Sequence, residues 1–154
     1  MKTYQFDAQL ADGLEGEAFL DAVFRRWYRI TPATRGQQRR GIDRWFAQGR
    51  RRLSVEYKTD TAAARTGNAF VETVSVDTTH TPGWAYTSQA DYLAYYIPPD
   101  GLVYIIRFDV LRNQLPRWER RYPVRRIAND GYHTQGLLVA LREFEACAEA
   151  ILSV

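Results

Sequence analysis

At 154 residues, with 45% hydrophobic and 14% aromatic content, the chain is long enough for one compact domain with a sizeable core and too short for two ordinary ones. Its formal charge of +3 is small but clustered, with Arg35, Arg39, Arg40 and Arg44 in one stretch, Arg50, Arg51 and Arg52 in a second, and Arg117, Arg120, Arg121, Arg125 and Arg126 in a third, a distribution suited to a polyanionic partner. A single cysteine, Cys147, excludes an internal disulfide framework and points to a reducing compartment.

Residues 1–10 mix Lys2, Gln5 and Asp7 among apolar residues and lack the apolar run of a signal peptide. No segment approaches the roughly 20 apolar residues that span a bilayer. The expectation is a cytoplasmic protein without membrane association, forming a single domain over residues 1–154. Of the 21 basic residues only Lys2 and Lys58 are lysine. Lysine alone among the cations has a compact ammonium whose pKa moves readily, so a lysine in an otherwise arginine-rich chain marks a place where chemistry needs one.

The first predicted element is a helix over 14–30. Phe19, Leu20, Val23, Phe24, Trp27 and Tyr28 fall on one side at 100° per residue, while Glu15, Arg25, Arg26 and Arg29 fall on the other. Glu17 breaks the division, lying at the edge of the apolar face one turn before Leu20. An acid there needs a partner such as a metal or a basic group.

After Pro32 and a polar stretch the pattern predicts a hairpin of strands 42–46 and 53–58. Its tip, Gly49-Arg50, fits a two-residue turn with glycine first. That turn sets Gln48 against Arg51 and, counted back, Asp43 against Glu56. Side chains alternate along a strand, so Leu53, Val55 and Tyr57 share one face, while Ser54, Glu56 and Lys58 share the other with Asp43. Two facing carboxylates repel unless a cation joins them. Magnesium suits them, being a hard ion satisfied by one or two carboxylates, water and phosphate. His80 and His133 stand alone and form no zinc-like spacing, and no Walker-type glycine loop is present.

Farther along, 88–97 is predicted as a second helix with Gln89 at its start. The run 102–108 is predicted as a strand buried on both faces, and 110–118 as a short helix. The 132–141 stretch includes another strand, and 141–152 closes the chain as an amphipathic helix with Cys147 on its apolar face.

An acidic helix residue, then Gly41-Ile42-Asp43, then Glu56-Tyr57-Lys58, resembles the PD-(D/E)XK nuclease superfamily. Gln38-Arg39-Arg40-Gly41-Ile42-Asp43 is similar to a motif strand of its small phage and bacterial members. Thr66-Gly67-Asn68-Ala69-Phe70-Val71-Glu72 resembles the strand that follows, and Gly83 to Tyr92 resembles the turn and helix entry after it. Ile42 stands where the name-giving motif has proline. The resemblance implies an α/β restriction-endonuclease-like core, a central mixed sheet flanked by helices in the order αβββαβ with C-terminal additions.

It further implies a magnesium-dependent DNA endonuclease of the homing, resolvase or restriction kind, with manganese able to substitute. Asp43, Glu56, the Tyr57 carbonyl and Glu17 would hold metal, Glu15 being the alternative helix acid. Lys58 would position water or stabilise charge on phosphate, and Gln89 would orient the attacking water. The DNA contacts expected are Arg35, Arg39, Arg40, Arg44, Arg50, Arg51 and Arg52. A homo-oligomer, a dimer or larger even assembly, is expected because one chain offers one active site. The competing readings are a catalytically silent nucleic-acid-binding protein on the same fold and a subunit of a larger assembly.

Overall fold

The computed structural model describes residues 2–154, with side chains from Ala11 onward. Its centre is a six-stranded mixed sheet. Helix α1 (Lys2–Phe24) leads into a meander of β1 (Arg29–Pro32), β2 (Arg44–Gln48) and β3 (Arg51–Thr59), with α2 (Arg35–Arg39) between the first two strands. A short turn of helix, α3 (Ala63–Thr66), follows, then β4 (Asn68–Val76), β5 (Thr81–Pro82) and α4 (Trp84–Thr87). The chain continues through β6 (Tyr92–Ile97), β7 (Leu102–Arg107), α5 (Phe108–Arg121), β8 (Val124–Ala128), β9 (His133–Ala140), α6 (Leu141–Cys147) and β10 (Ala150–Ser153). The central sheet runs β1-β2-β3-β6-β7-β10, with β3 and β6 parallel and the other pairs antiparallel. A second, four-stranded antiparallel sheet runs β5-β4-β9-β8.

Alternation in β3 decides what each face of the central sheet meets. Val55 and Tyr57 join Leu20 and Phe24 of α1, together with Phe46, Ala94, Tyr96 and Val103. The opposite face, carrying Leu93, Tyr95, Ile97, Tyr104 and Ile106, packs on the inner residues Ala69, Val71, Leu137 and Val139 of the second sheet and on α5 and α6. Each fully buried side chain of leucine size stabilises this arrangement by about 2 kcal/mol. The α/β architecture with a central mixed sheet flanked by helices is the one expected.

Several elements differ from expectation. The first helix ends at Phe24, and Arg29 and Ile30 belong to β1, the edge strand that opens the meander. Trp27, expected on the apolar face, lies beyond the helix and is 49% exposed. The 88–97 segment is not a helix. Its last six residues form β6, central in the sheet, with Leu93, Tyr95 and Ile97 buried on one side and Ala94 and Tyr96 on the other. A run buried on both faces has no period to betray it, and its aromatic content suits a strand. Asp91 starts the parallel pairing by accepting from both the amide and hydroxyl of Ser54 while its own amide donates to Ser54 O.

The 66–72 strand exists as the first part of β4, but it founds the second sheet instead of completing the meander. At the C-terminus the helix stops at Cys147, and β10 pairs antiparallel with β7 in place of the expected final turns. The 102–107 strand, the helix after it and the strand at 133–140 are found where expected, α5 starting two residues earlier and ending three later than predicted. Among the described residues no helix is long and apolar enough to cross a membrane.

One buried acid fastens α6 to α5. Glu143, 7% exposed, accepts from the Arg117 guanidinium, Trp118 Nε1 and the Tyr122 hydroxyl. These donors, Arg117 first, hold its carboxyl down at about 2 against the opposing effect of burial. A depressed carboxylate stabilises the fold above its unfolded value near 4.5 and ceases to do so as pH falls toward 2. Glu143→Gln is expected to cost about 2 kcal/mol at neutral pH, allowing for solvent screening of the half-exposed arginines. In urea titrations from pH 7 to pH 2.5 the gap between variant and wild type should close. A gap that stays constant with pH would rule this account out.

Candidate active site

The site is built on the β2–β3 hairpin. Gly49 has φ +58°, the conformation a glycine-first two-residue turn requires, and Gln48 faces Arg51. The ladder continues through Arg44 opposite Val55, and the Asp43 amide donates to Val55 O. The next rung is made by a side chain: Asp43 Oδ2 accepts from the Tyr57 amide at 2.8 Å. This rung fixes one carboxylate oxygen of Asp43 against β3.

The approach to Asp43 is equally constrained. Gly41 has φ +84°, and a Cβ there would come within 2.8 Å of the Ser88 Cα. Only glycine accommodates both the backbone angle and that proximity. Ser88 Oγ donates to Gly41 O, the Gln89 amide donates to Arg40 O at 2.7 Å, and the Arg112 guanidinium donates to Ser88 O. Ile42, at the motif's proline position, is 7% exposed and anchors the segment in the core.

Across the hairpin Glu56 is 4% exposed. Its Oε1 lies 3.0 Å from Lys58 Nζ, whereas its Oε2 is buried with no hydrogen-bond partner. An orphaned buried carboxylate oxygen is costly, and it is a suitable donor for a hard cation. Burial, then the neighbouring Glu56 charge, push the Asp43 carboxyl above its ordinary value, against the opposing Tyr57 amide and Lys58. For Lys58 burial works against the charge, but Glu56, Asp43 and Glu72 outweigh it and hold the ammonium above the usual lysine value. Lys58 is therefore a retained cation here and not a neutral base. It stands 5.7 Å from the centre of the Trp84 ring.

Helix α1 reaches this hairpin through Gly16, where a Cβ would fall 2.1 Å from Thr59 Oγ1. Glu17 follows directly. Burial, then the Asp43 charge, raise its carboxyl above the ordinary value, with Arg44 opposing them. Glu15 is exposed and borders a separate shallow hollow with Phe19 and Thr59. Among the described residues no three His, Cys, Asp or Glu side chains stand close enough together to hold a metal.

Arg44 does not face outward as a DNA contact. Its side chain is 12% exposed, with Nε donating to both oxygens of Asp21 (3.0 and 3.2 Å), one terminal nitrogen to Glu17 Oε2 at 3.3 Å and the other to Asp43 O at 3.0 Å. A cation this close to two part-buried acids is held inward by the cost of leaving them unpaired. The Tyr57 hydroxyl completes Asp21 at 3.0 Å. Gln89 is exposed and outside any helix, so a helix start does not position it.

The remaining expected arginines divide by strand alternation and exposure. Arg35, Arg39 and Arg40 are exposed along α2 and just after it, a helix whose start is closed by a capping box between Thr34 and Gln37. Arg50 is exposed at the hairpin tip. Arg52 stacks over Trp45 at 3.9 Å on the face that carries Ser54, Glu56 and Lys58. Arg51 points to the other face, lining a hollow with Tyr92 and Glu149.

Three residues near the site escaped the sequence reading. Asp21 was legible in principle, since it lies four residues after Glu17 on the same helix face. Arg112 was not: it arrives from α5, where its Nε is buried without a partner, close enough for the Glu56 charge to act on it. Glu72 of β4, given no role among the expected site residues, is brought beside Lys58 by the second sheet and accepts from the Trp84 amide.

No protein-family model matches the chain, and no curated protein matches it in sequence. Among solved structures it is similar to a bacterial homing endonuclease, I-Ssp6803I, with a TM-score of 0.50 and 18% identity over 84% of this chain and 76% of that one. The fold, an α/β architecture with a central mixed sheet flanked by helices, is thus similar to that of a homing endonuclease.

Proposed function

We propose that the chain is a magnesium-dependent DNA endonuclease of the PD-(D/E)XK type, with Asp43, Glu56 and Lys58 as its catalytic residues. The observation that carries this reading is the Asp43 carboxylate, held against β3 by the Tyr57 amide within reach of the Glu56 charge, with a buried Glu56 oxygen left without a partner beside a charged lysine. The likeness in fold to a homing endonuclease supports it.

Asp43, Glu56 and the Tyr57 carbonyl would hold the ion, with Glu17 reaching it directly or through water, and manganese would substitute. Bound there, magnesium supplies charge neutralisation on the phosphate and acidification of coordinated water. The protein's own part is positioning. The Tyr57 amide keeps the Asp43 carboxylate from turning, and Arg44 restrains Glu17 from β2. Lys58, kept cationic by its acids, would stabilise the negative charge that accumulates on a phosphoryl oxygen during hydrolysis. Arg35, Arg39, Arg40, Arg50 and Arg52 would bind backbone phosphates, which hold DNA in register. Cutting both strands requires a symmetric dimer or larger even assembly, each copy bringing one site.

The direct test is cleavage of supercoiled and branched DNA by wild-type protein. Nicked or linear product with magnesium or manganese, and none in EDTA, is expected. Cleavage undiminished by EDTA would exclude the metal site, and tight binding without cleavage on a broad substrate panel would favour a silent binding protein on this fold.

A further inference from the structure

Lys58 also borders a cleft whose far wall is the outward face of the second sheet. Alternation in β4 and β9 sends Ala69, Val71, Leu137 and Val139 into the core, leaving Phe70 and its cross-strand partner Leu138 outward. The cleft has a volume of about 400 Å³, within the roughly 300 to 1,000 Å³ of small-ligand sites. Phe70, Leu138 and Ile127 supply apolar surface, and Lys58, Arg65 and Arg125 supply charge. Asp60 also borders the cleft, but its oxygens accept from the Ala63 and Phe70 amides and from the Tyr95 hydroxyl.

Two features distinguish this cleft from a plain phosphate track. The Phe70 ring lies over Gly136, where a Cβ would come within 2.4 Å of it, so a glycine in β9 makes room for a ring laid against the strand. Ile127 remains 38% exposed at the mouth, although a track for phosphate and sugar has no use for an exposed isoleucine. Two of the three cations are also uncommitted: among the described residues neither Arg65 nor Arg125 makes a side-chain hydrogen bond or ion pair, while Lys58 is paired with Glu56. The adjacent Arg126 lies on the other face, joined to Asp77 and His133.

An apolar, partly aromatic surface rimmed by three cations matches a nucleotide, whose base needs a flat apolar contact and whose phosphates need positive charge. We infer that this cleft receives a single nucleotide that has left the helix next to the scissile phosphate, making a duplex with an unpaired base the favoured substrate. The inference rests on the nuclease reading and deepens it. Extruding a paired base costs a few kcal/mol and an unpaired one much less, so preference for unpaired substrates follows from the pocket itself.

The test compares, in EDTA, the affinity for a 30-base-pair duplex with that for the same duplex carrying one bulged 2-aminopurine. Wild type should bind the bulged duplex roughly tenfold more tightly and change the 2-aminopurine fluorescence on binding. Arg125→Ala and Ile127→Ser alter exposed positions and should melt like wild type. Each should remove most of the preference while changing affinity for the continuous duplex by less than about twofold. Equal affinity of wild type for the two duplexes would overturn the nucleotide site and leave the nuclease reading standing. So would equal losses on both duplexes in the variants, which would make the cleft a backbone track. Failure to bind either DNA would overturn the site and the nuclease reading together.

Discussion

Asp43→Asn is expected to reduce magnesium-dependent cleavage by roughly 100-fold or more while leaving the thermal midpoint and DNA affinity close to wild type. The substitution keeps the shape of the side chain, and the amide carbonyl can still accept from the Tyr57 N–H that holds the aspartate in place. It removes only the charge. Lys58→Ala should lower cleavage to a similar extent, but with a fall in stability, because it leaves Glu56, 4% exposed, without its ion-pair partner. Lys58→Ala alone therefore confuses chemistry with folding, and the asparagine variant separates them. Single-turnover cleavage of a duplex substrate, with melting and binding measured on the same samples, gives the comparison. Normal cleavage by Asp43→Asn would remove the hairpin face from consideration as the active site.

Arg44→Ala is expected to destabilise the protein by about 3 kcal/mol, a different effect from that of a lost DNA contact. The guanidinium holds Asp21 and Glu17 at once, both acids belong to α1, and the arginine belongs to β2. Removing it leaves two part-buried carboxylates near Asp43 with only the Tyr57 hydroxyl in compensation. Arg44→Lys should restore little, since a single ammonium cannot reproduce the forked contacts to both acids. Urea titration reads the loss directly. An unchanged unfolding midpoint combined with weaker, less salt-dependent DNA binding would return Arg44 to the set of phosphate contacts.

Much of the site was legible because it is local. A glycine-first turn and strict alternation predict Asp43, Glu56 and Lys58 on one face without any knowledge of the rest of the chain; the observed register agrees from Gln48 opposite Arg51 to Arg44 opposite Val55, and Asp43 beyond it is tied to β3 through its side chain. Glu17 was legible as an acid out of place on a helix face. Its partner was not, because Arg44 reads equally well as a surface arginine until α1 is laid across β3 at Gly16. The sorting of Arg51 from Arg52 follows from the same alternation once the face covered by α1 is known.

The elements that sequence reading misplaced share a physical cause. β6 carries apolar and aromatic residues toward both sides, so no period distinguishes it from a helix, and its identity depends on lying between β3 and β7. β10 ends the chain as a strand because β7 offers an unpaired edge, a circumstance set by residues more than forty positions earlier in the chain. β4 reads correctly as a strand, yet which sheet it joins depends on β9. Periodicity and turn chemistry, which act within a few residues, were sufficient for the hairpin and its chemical face. Strand order, the second sheet and the pairing of buried charges came from long-range burial and hydrogen bonding, which no local pattern encodes.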